Sequence, residues 1–248
     1  MDGLGTLLIT GGSRGIGAAT ARLAACSGYD VCLTYASRPD AAQAVAAEVE
    51  AAGRRALCVQ ADARDADFAE RVLAGIPEAF GPLVGLVNNA GITGPLGAFP
   101  QAKPETLRAV FEVNVLSLML LTQRVVQRWQ AQGQGGCVVN VSSVAATLGS
   151  PGEYVHYAAS KAAVETFTVG LGKELAAQGI RVNCVSPGTT LTDIHAAMGD
   201  PGRPQRVAAR IPMQRPGHAE EIAEAIIWLL SDKAAYVTGT VLKVAGGM

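Results

Sequence analysis

The chain has 248 residues, 49% of them hydrophobic and 17% charged, with a formal net charge of −1. That length supports one large core, and the near-neutral balance, with no Lys/Arg run and no interleaved basic–aromatic patch, counts against a nucleic-acid partner. Twenty-nine glycines beside only 5% aromatic residues suit strands and helices in close contact, joined by short turns.

In chain order, MDGLGTLLIT lacks the basic start and long apolar run of a signal peptide. TLLIT is the first candidate strand, and RGIGAATARLAACSG follows with helical spacing. DVCLTY, the Ala-rich helix AAQAVAAEVEAAG and RALCVQAD come next, then a helix near DADFAERVLAGI and the strand LVGLVNN. A long helical stretch runs from about Pro104 to Gln130, and its most apolar part, VLSLMLLT, is too short to span a bilayer. CVVNVSS, the helix YAASKAAVETFTVGLGKELAAQ, IRVNCVSPG, the helix HAEEIAEAIIWLLSD and TVLKVAGG complete the chain. Seven apolar runs alternating with helices predict an α/β fold. The expected architecture is one doubly wound parallel sheet of about seven strands, with helices on both faces, spanning 1–248 as one domain. The segment 189–217, rich in Pro, Gly, Arg and Met, breaks the rhythm and reads as a substrate lid with a short helix of its own.

Cys26, Cys32, Cys58, Cys137 and Cys184 show no CxxC pairing, and four of them lie in strand-like runs. They read as small thiols in a reducing compartment, so a cytoplasmic protein is expected. His156, His195 and His218 lack zinc-ligand spacing, and no metal is expected.

TGGSRGIG, Thr10 to Gly17, follows the first strand directly. It is readable as a cradle for a dinucleotide pyrophosphate at a helix N-terminus. An NTPase P-loop would need Lys-Ser/Thr where Ala18 and Ala19 stand. A nucleophile elbow is matched by Gly11-Gly12-Ser13-Arg14-Gly15, which would make Ser13 a hydrolase nucleophile. No earlier strand exists to build that elbow's oxyanion hole and no HGGG-like segment is present, so the glycines at Gly11, Gly15 and Gly17 favour the dinucleotide. Further on, YAASK places Tyr157 and Lys161 one helical turn apart, a spacing that by itself can merely cover a surface.

TGGSRGIG, NNAG at Asn88 to Gly91 and YAASK together resemble the short-chain dehydrogenase/reductase family. Asn114 in FEVNV, Ser143 in NVSSV, SPG at Ser186 to Gly188 and the tail YVTGTVLKVAGG extend the resemblance over nearly the whole chain. It implies a single Rossmann-type domain and reversible hydride transfer between a nicotinamide and a carbonyl or alcohol, in a protein commonly assembled as a homotetramer. The matching active residues are Asn114, Ser143, Tyr157 and Lys161. Free tyrosine has a pKa of ~10, too high for easy proton exchange. A lysine roughly 6 Å away at an effective dielectric of ~20 would favour tyrosinate by about 2–3 kcal/mol, or ~2 in pKa. By the same resemblance Lys161 also binds the nicotinamide ribose, Ser143 bonds the substrate oxygen, and Asn114 holds a water that passes protons to Lys161. Its alternative is a helix-interior Asn bonding the local backbone. Ser142 is the structural serine of its pair.

The cofactor-binding set implied is Gly11, Ser13, Arg14, Gly15, Ile16, Gly17, Ser37, Arg38, Asp62, Asn89, Ala90, Gly91, Tyr157, Lys161, Pro187, Gly188 and Thr192. Asp62 resembles the residue that bonds the adenine amino group, with a helix cap as its structural alternative. The second strand ends at Tyr35, with no acid before Asp40, while Arg14, Ser37 and Arg38 could surround a 2′-phosphate, so NADP is expected over NAD, with NAD possible. Glu153, Tyr154 and His156 are candidates to touch substrate, His156 with a structural role the stronger reading. The lid offers Thr192, His195, Met198, Arg206 and Met213. Sugar or polyol dehydrogenases and 3-oxoacyl thioester reductases fit the motifs equally. A non-catalytic dinucleotide sensor is the other class, against which the intact proton-relay set counts.

Overall fold

The computed structural model describes residues 4–248. In chain order it contains β1 (Thr6–Ile9), α1 (Gly15–Cys26), β2 (Asp30–Tyr35), α2 (Pro39–Ala51), β3 (Ala56–Gln60), α3 (Phe68–Ala74), β4 (Leu83–Asn88) and α4 (Pro104–Phe111). A π-helical turn, Glu112–Leu116, joins α4 to α5 (Ser117–Gln132). Then follow β5 (Gly136–Val141), α6 (Ala145–Leu148), α7 (Val155–Leu175), β6 (Ile180–Pro187), α8 (Ile194–Ala197), α9 (Arg203–Val207), α10 (Ala219–Leu230) and β7 (Val241–Val244).

All seven strands pair in parallel, in the order β3-β2-β1-β4-β5-β6-β7. The expected sheet is therefore present, strand for strand. Its strands are apolar because both faces are covered. Leu7, Ile9, Val31 and Val139 pack with residues of α1, α2 and α10 on one face. Leu8, Leu86, Val138 and Val182 pack with residues of α3 and α5 on the other. Trp129 on α5 is fully buried there, and its indole Nε1 donates to the Leu83 carbonyl at 2.6 Å. The run Pro104–Gln132 is long and apolar enough to cross a membrane by length and composition alone. Here its apolar stripe, with Leu121, Val125 and Trp129 fully buried, covers the sheet instead.

Strand order reverses between β1 and β4, where the chain leaves one half of the sheet and starts the other. In such sheets the crevice outside the strands' C-terminal ends is where ligands bind. A polar chain crosses the middle of the sheet just below it. Asn88 Nδ2 donates to Thr122 Oγ1 and to Asn140 Oδ1, both at 2.9 Å, and Asn140 Nδ2 donates to Thr168 Oγ1 at 2.9 Å. These groups are buried and bond one another, with Asn88 Oδ1 alone left without a partner, and the chain binds α5 and α7 to β4 and β5.

Candidate active site

A cavity of about 650 Å³ opens at that crevice, a size ordinary for a cofactor and substrate together. At one end is the turn between β1 and α1. Gly11 and Gly15 hold φ of +64° and +52°, conformations that favour glycine. A Cβ at Gly17 would collide with the Gly11 carbonyl oxygen, so Gly17 serves close packing of helix on turn. Asn89 holds the same turn from β4: its Nδ2 donates to the carbonyls of Thr10 and Gly11 at 3.0 Å, while the backbone N–H groups of Asn89 and Ala90 donate to Thr10 Oγ1. No acid occupies the first turn of α1, so its N-terminal N–H groups face the cavity without a competing carboxylate.

Of the sequence-implied cofactor residues, Gly11, Ser13, Arg14, Gly15, Ile16, Ser37, Arg38, Asp62, Asn89, Ala90, Gly91, Pro187, Gly188 and Thr192 all line this cavity, as do Tyr157 and Lys161. Gly17 lies behind the wall. Asp62 is not a helix cap: its Oδ1 accepts the backbone N–H of Arg64 at 3.0 Å, and its carboxylate pairs with the Arg64 guanidinium. That hydrogen bonding holds the Asp62 carboxyl below its ordinary range. Arg64, which lines the cavity beside Asp62, is a cation the sequence reading missed. Arg14 reaches to within 4.0 Å of Asp193 in the segment 189–217.

At the other end α7 enters with Tyr157 and Lys161, and Ser143 follows β5. Ser143 Oγ accepts the Ala145 N–H at 3.1 Å. Burial pushes the Tyr157 phenol above its usual range, and hydrogen bonding with the Ser143 side chain pulls it back in part. Lys161 Nζ donates to the Val141 carbonyl at 2.8 Å and lies 5.7 Å from the Tyr157 ring centroid. Burial lowers its pKa to about 8, opposed by Cys184 and Glu165. The spacing argument expected Lys161 to lower the Tyr157 pKa. Desolvation outweighs every charge nearby, and the tyrosine moves up instead.

Asn114 is fully buried and does not line the cavity. Its Oδ1 accepts the Ile92 N–H at 2.9 Å, and its Nδ2 donates to the Ile92 carbonyl and to Ser160 Oγ, at 2.9 and 3.0 Å. The local-backbone alternative is thus replaced by long-range bonds, and the side-chain amide is engaged throughout. Asn114 stands in the π-helical turn, which departs from the α-helical hydrogen-bond ladder, as such turns often do at functional sites. Gly91 is tight against this group: a Cβ there would come within 3.3 Å of Asn114 Oδ1 and 3.4 Å of Lys161 Nζ. Ser142 is structural, as expected: its hydroxyl bonds the Lys161 carbonyl and Glu165 Oε1, which also accepts from Ser186.

Segment 189–217 carries two short helices and a 3₁₀ turn rather than one helix. Thr192, His195 and Met198 line the cavity, while Arg206 pairs with Asp200 and Met213 is 61% exposed away from it. Tyr154 also lines the cavity, whereas Glu153 and His156 do not. His156 Nε2 donates to the Thr93 carbonyl at 2.9 Å, a structural role. Ser150 and Arg203 line the cavity too. Both went unnoticed in the sequence because they sit in irregular segments without motif spacing. Among the described residues no histidine hydrogen-bonds Ser13, so the elbow serine has no base.

Residues 11–248 match the sequence model of a family described as enoyl-(acyl carrier protein) reductase. An uncharacterized oxidoreductase, YgfF, of Escherichia coli K12 is 50% identical over 97% of this chain and 98% of its own length. The L-rhamnose 1-dehydrogenase (NAD(P)+) of a Sphingomonas species is 41% identical over 98% and 95%, and the 3-oxoacyl-(acyl-carrier-protein) reductase of a Synechocystis species 39% over 97% and 95%. Among solved structures, a short-chain dehydrogenase from Burkholderia cenocepacia in complex with NADP superposes with a TM-score of 0.90, at 36% identity over 99% and 98% of the two chains. The chain belongs to the short-chain dehydrogenase/reductase family and is an oxidoreductase of that family.

Proposed function

We propose that the protein interconverts a secondary alcohol and a carbonyl with NADP(H) preferred, using Tyr157 as acid and base. The observation that carries the reading is the placement of Tyr157, Ser143 and Lys161 at one end of a cavity whose other end is a glycine turn on a bare helix N-terminus. The nicotinamide, when bound, supplies or accepts the hydride. In reduction, the Tyr157 hydroxyl gives its proton to the carbonyl oxygen as hydride reaches the carbon, so that C=O becomes CH–OH. In oxidation, tyrosinate takes the hydroxyl proton as hydride leaves. Ser143 donates a hydrogen bond to the reacting oxygen. Lys161, with its pKa lowered by burial to about 8 and its Nζ 5.7 Å from the Tyr157 ring centroid, would offset part of the desolvation that tyrosinate meets. Asn114 positions Ile92 and α7 around the lysine, and the π turn it occupies is where a relay water would bind.

The 2′-phosphate preference rests on Arg14, Ser37 and Arg38 at the cavity wall, with the half-buried Tyr35 where an acid would repel it. Gly11, Ser13, Gly15 and Ile16 would cradle the pyrophosphate, with Gly17 behind them. Asp62 would meet the adenine, and Asn89, Ala90 and Gly91 would flank the adenosine. Pro187, Gly188 and Thr192 would close over the nicotinamide. The chain acts as one domain with 189–217 as its lid. A homotetramer is supported by the exposed Phe111, Leu116 and Leu120 on the helical run from α4 to α5 and by Val155 on α7; sedimentation as a monomer alone would refute it. A cytoplasmic location fits five free thiols, of which Cys32, Cys137 and Cys184 are buried and Cys26 is exposed.

The first test is absorbance at the reduced nicotinamide band with carbonyl and alcohol substrates, NADP(H) and NAD(H) in parallel. Tyr157→Phe should lower kcat by about 10³-fold or more while NADPH still binds. Full turnover by that variant would overturn the assignment of Tyr157, whereas NADPH binding with no turnover of any substrate by the wild-type protein would leave a dinucleotide sensor as the better reading.

A further inference from the structure

The cavity wall beside Tyr157 sets polar groups, Ser150, Tyr154 and Arg203, among apolar side chains such as Ala145, Ile194 and Met198. Arg203, on α9, is only 9% exposed. Glu153 holds its Nε and Nη2 at 3.3 and 2.6 Å, which leaves Nη1 uncommitted by that pair. The guanidinium lies 5.4 Å from the centroid of the Tyr154 ring, and that ring meets Tyr157 edge-on at 5.2 Å between centroids. Burial raises the Tyr154 phenol above its usual range, and the Arg203 charge and the Ser150 side chain oppose that rise. Ser150 itself is held at φ +45°, a left-handed conformation that a residue with a Cβ adopts at a cost and that recurs at ligand-binding sites. Ser150, Tyr154 and Arg203 come from two irregular segments and all three line the cavity.

We propose that Ser150, Tyr154 and Arg203, oriented by Glu153, form a hydroxyl-reading subsite, and that the substrate is a neutral polyhydroxylated molecule, an aldose or polyol. This rests on Tyr157 being the acid and base. An acyl chain laid on this wall would offer the Arg203 and Tyr154 donors no partner. A carboxylate or phosphate would find the guanidinium already neutralised and the Glu153 charge behind it. A polyol carries hydroxyls that both donate and accept, at the spacing of adjacent carbons, beside the one that reacts at Tyr157. His195 adds a further polar group to the same cavity. Its Nε2 donates to the Thr190 carbonyl at 2.9 Å, so Nδ1 is an acceptor, and it is buried without a partner.

The experiment uses the full chain with NADP+ or NADPH. Aldoses and alditols are the oxidation probes; cyclohexanone and the N-acetylcysteamine thioester of 3-oxobutanoate are the reduction probes. Expected is turnover of a polyhydroxylated probe with kcat/KM at least about tenfold above either reduction probe. Tyr154→Phe should lower the ratio of polyol to cyclohexanone kcat/KM about tenfold, chiefly through KM. Because Arg203→Met alone strands a carboxylate, it is made together with Glu153→Gln, and the pair should lower the same ratio by a comparable or larger factor. NADPH fluorescence titration reports that each variant is folded. Preference for the thioester, an unchanged ratio in both variants, or silence on every polyol with NADPH still bound would overturn the subsite. Silence with no NADPH binding would instead take down the nucleotide reading, and the subsite with it.

Discussion

The two ends of the cavity are built in different ways. The glycine-turn end is made of backbone and of residues that tie backbone to backbone: Gly11, Gly15 and Gly17 with Thr10 and Asn89. The substrate end is made of side chains delivered by short irregular segments: Ser150 and Tyr154 before α7, and His195 and Arg203 from the segment 189–217. A backbone site tolerates almost no change of residue type and serves one ligand chemistry. A side-chain site on loops can be rewritten without disturbing the sheet.

The largest effect should come where the two ends meet, at Lys161. Its pKa is lowered by burial from 10.5 to about 8, so between those values the unfolded chain binds the extra proton and stability rises with pH. Below pH 8 both states are protonated and the full cost of burying the charge is present. The buried thiols run the other way. Cys32 and Cys184, pushed up to about 12 by burial, contribute stability that is lost above about pH 9. The informative quantity is therefore the difference between Lys161→Met and wild type in urea unfolding. It should shift against the variant by on the order of 3 kcal/mol from pH 7 to pH 10.5. A difference independent of pH would mean the lysine is not desolvated.

Gly17→Ala tests the backbone end. With its Cβ driven at the Gly11 carbonyl oxygen, the variant should lose about 1–3 kcal/mol in unfolding free energy and bind neither nucleotide measurably. A stable variant that still binds NADPH would show the turn to be as pliable as the lid. Arg38→Ala sharpens the picture at the cofactor's edge: kcat/KM with NADP should fall about tenfold with NAD little affected. Equal loss with both would remove the 2′-phosphate assignment. The smallest effect is expected at Arg206→Ala in the segment 189–217, whose exposed pair with Asp200 should be worth less than about 1 kcal/mol in thermal unfolding.

The same contrast explains what the sequence could tell. The seven strands were legible because each is a continuous apolar run, and the glycine turn because only glycine meets its steric demands. Tyr157 and Lys161 were legible because four residues on a helix make one face. Arg203, Arg64 and Ser150 were not, since no periodicity marks a residue in a loop and only the folded chain brings α9 against the start of α7. The direction of the Tyr157 shift also escaped. Spacing gives a distance between charges but not the desolvation that burial imposes, and here desolvation is the larger influence. Asn114 was singled out in the sequence by its motif, yet its amide bonds Ile92 and Ser160, partners 22 and 46 residues away that helix periodicity could not supply.

The Asn88–Asn140 contact has a consequence for how the sheet assembles. β4 and β5 are runs of Val, Leu and Gly that would pair almost as well if shifted along one another. Asn88 and Asn140 stand directly opposite in the ladder, at the end that carries the site. A shift by two residues keeps every side chain on its face but separates the two amides and sets Asn140 against Leu86 or Ala90, with buried amide groups left unpaired. At about 1–3 kcal/mol per group, that mismatch is enough to reject the slipped sheet. The pair acts as a ratchet stop: it defines one alignment of two otherwise interchangeable strands, and so holds Ser143 at the height where Tyr157 can meet it.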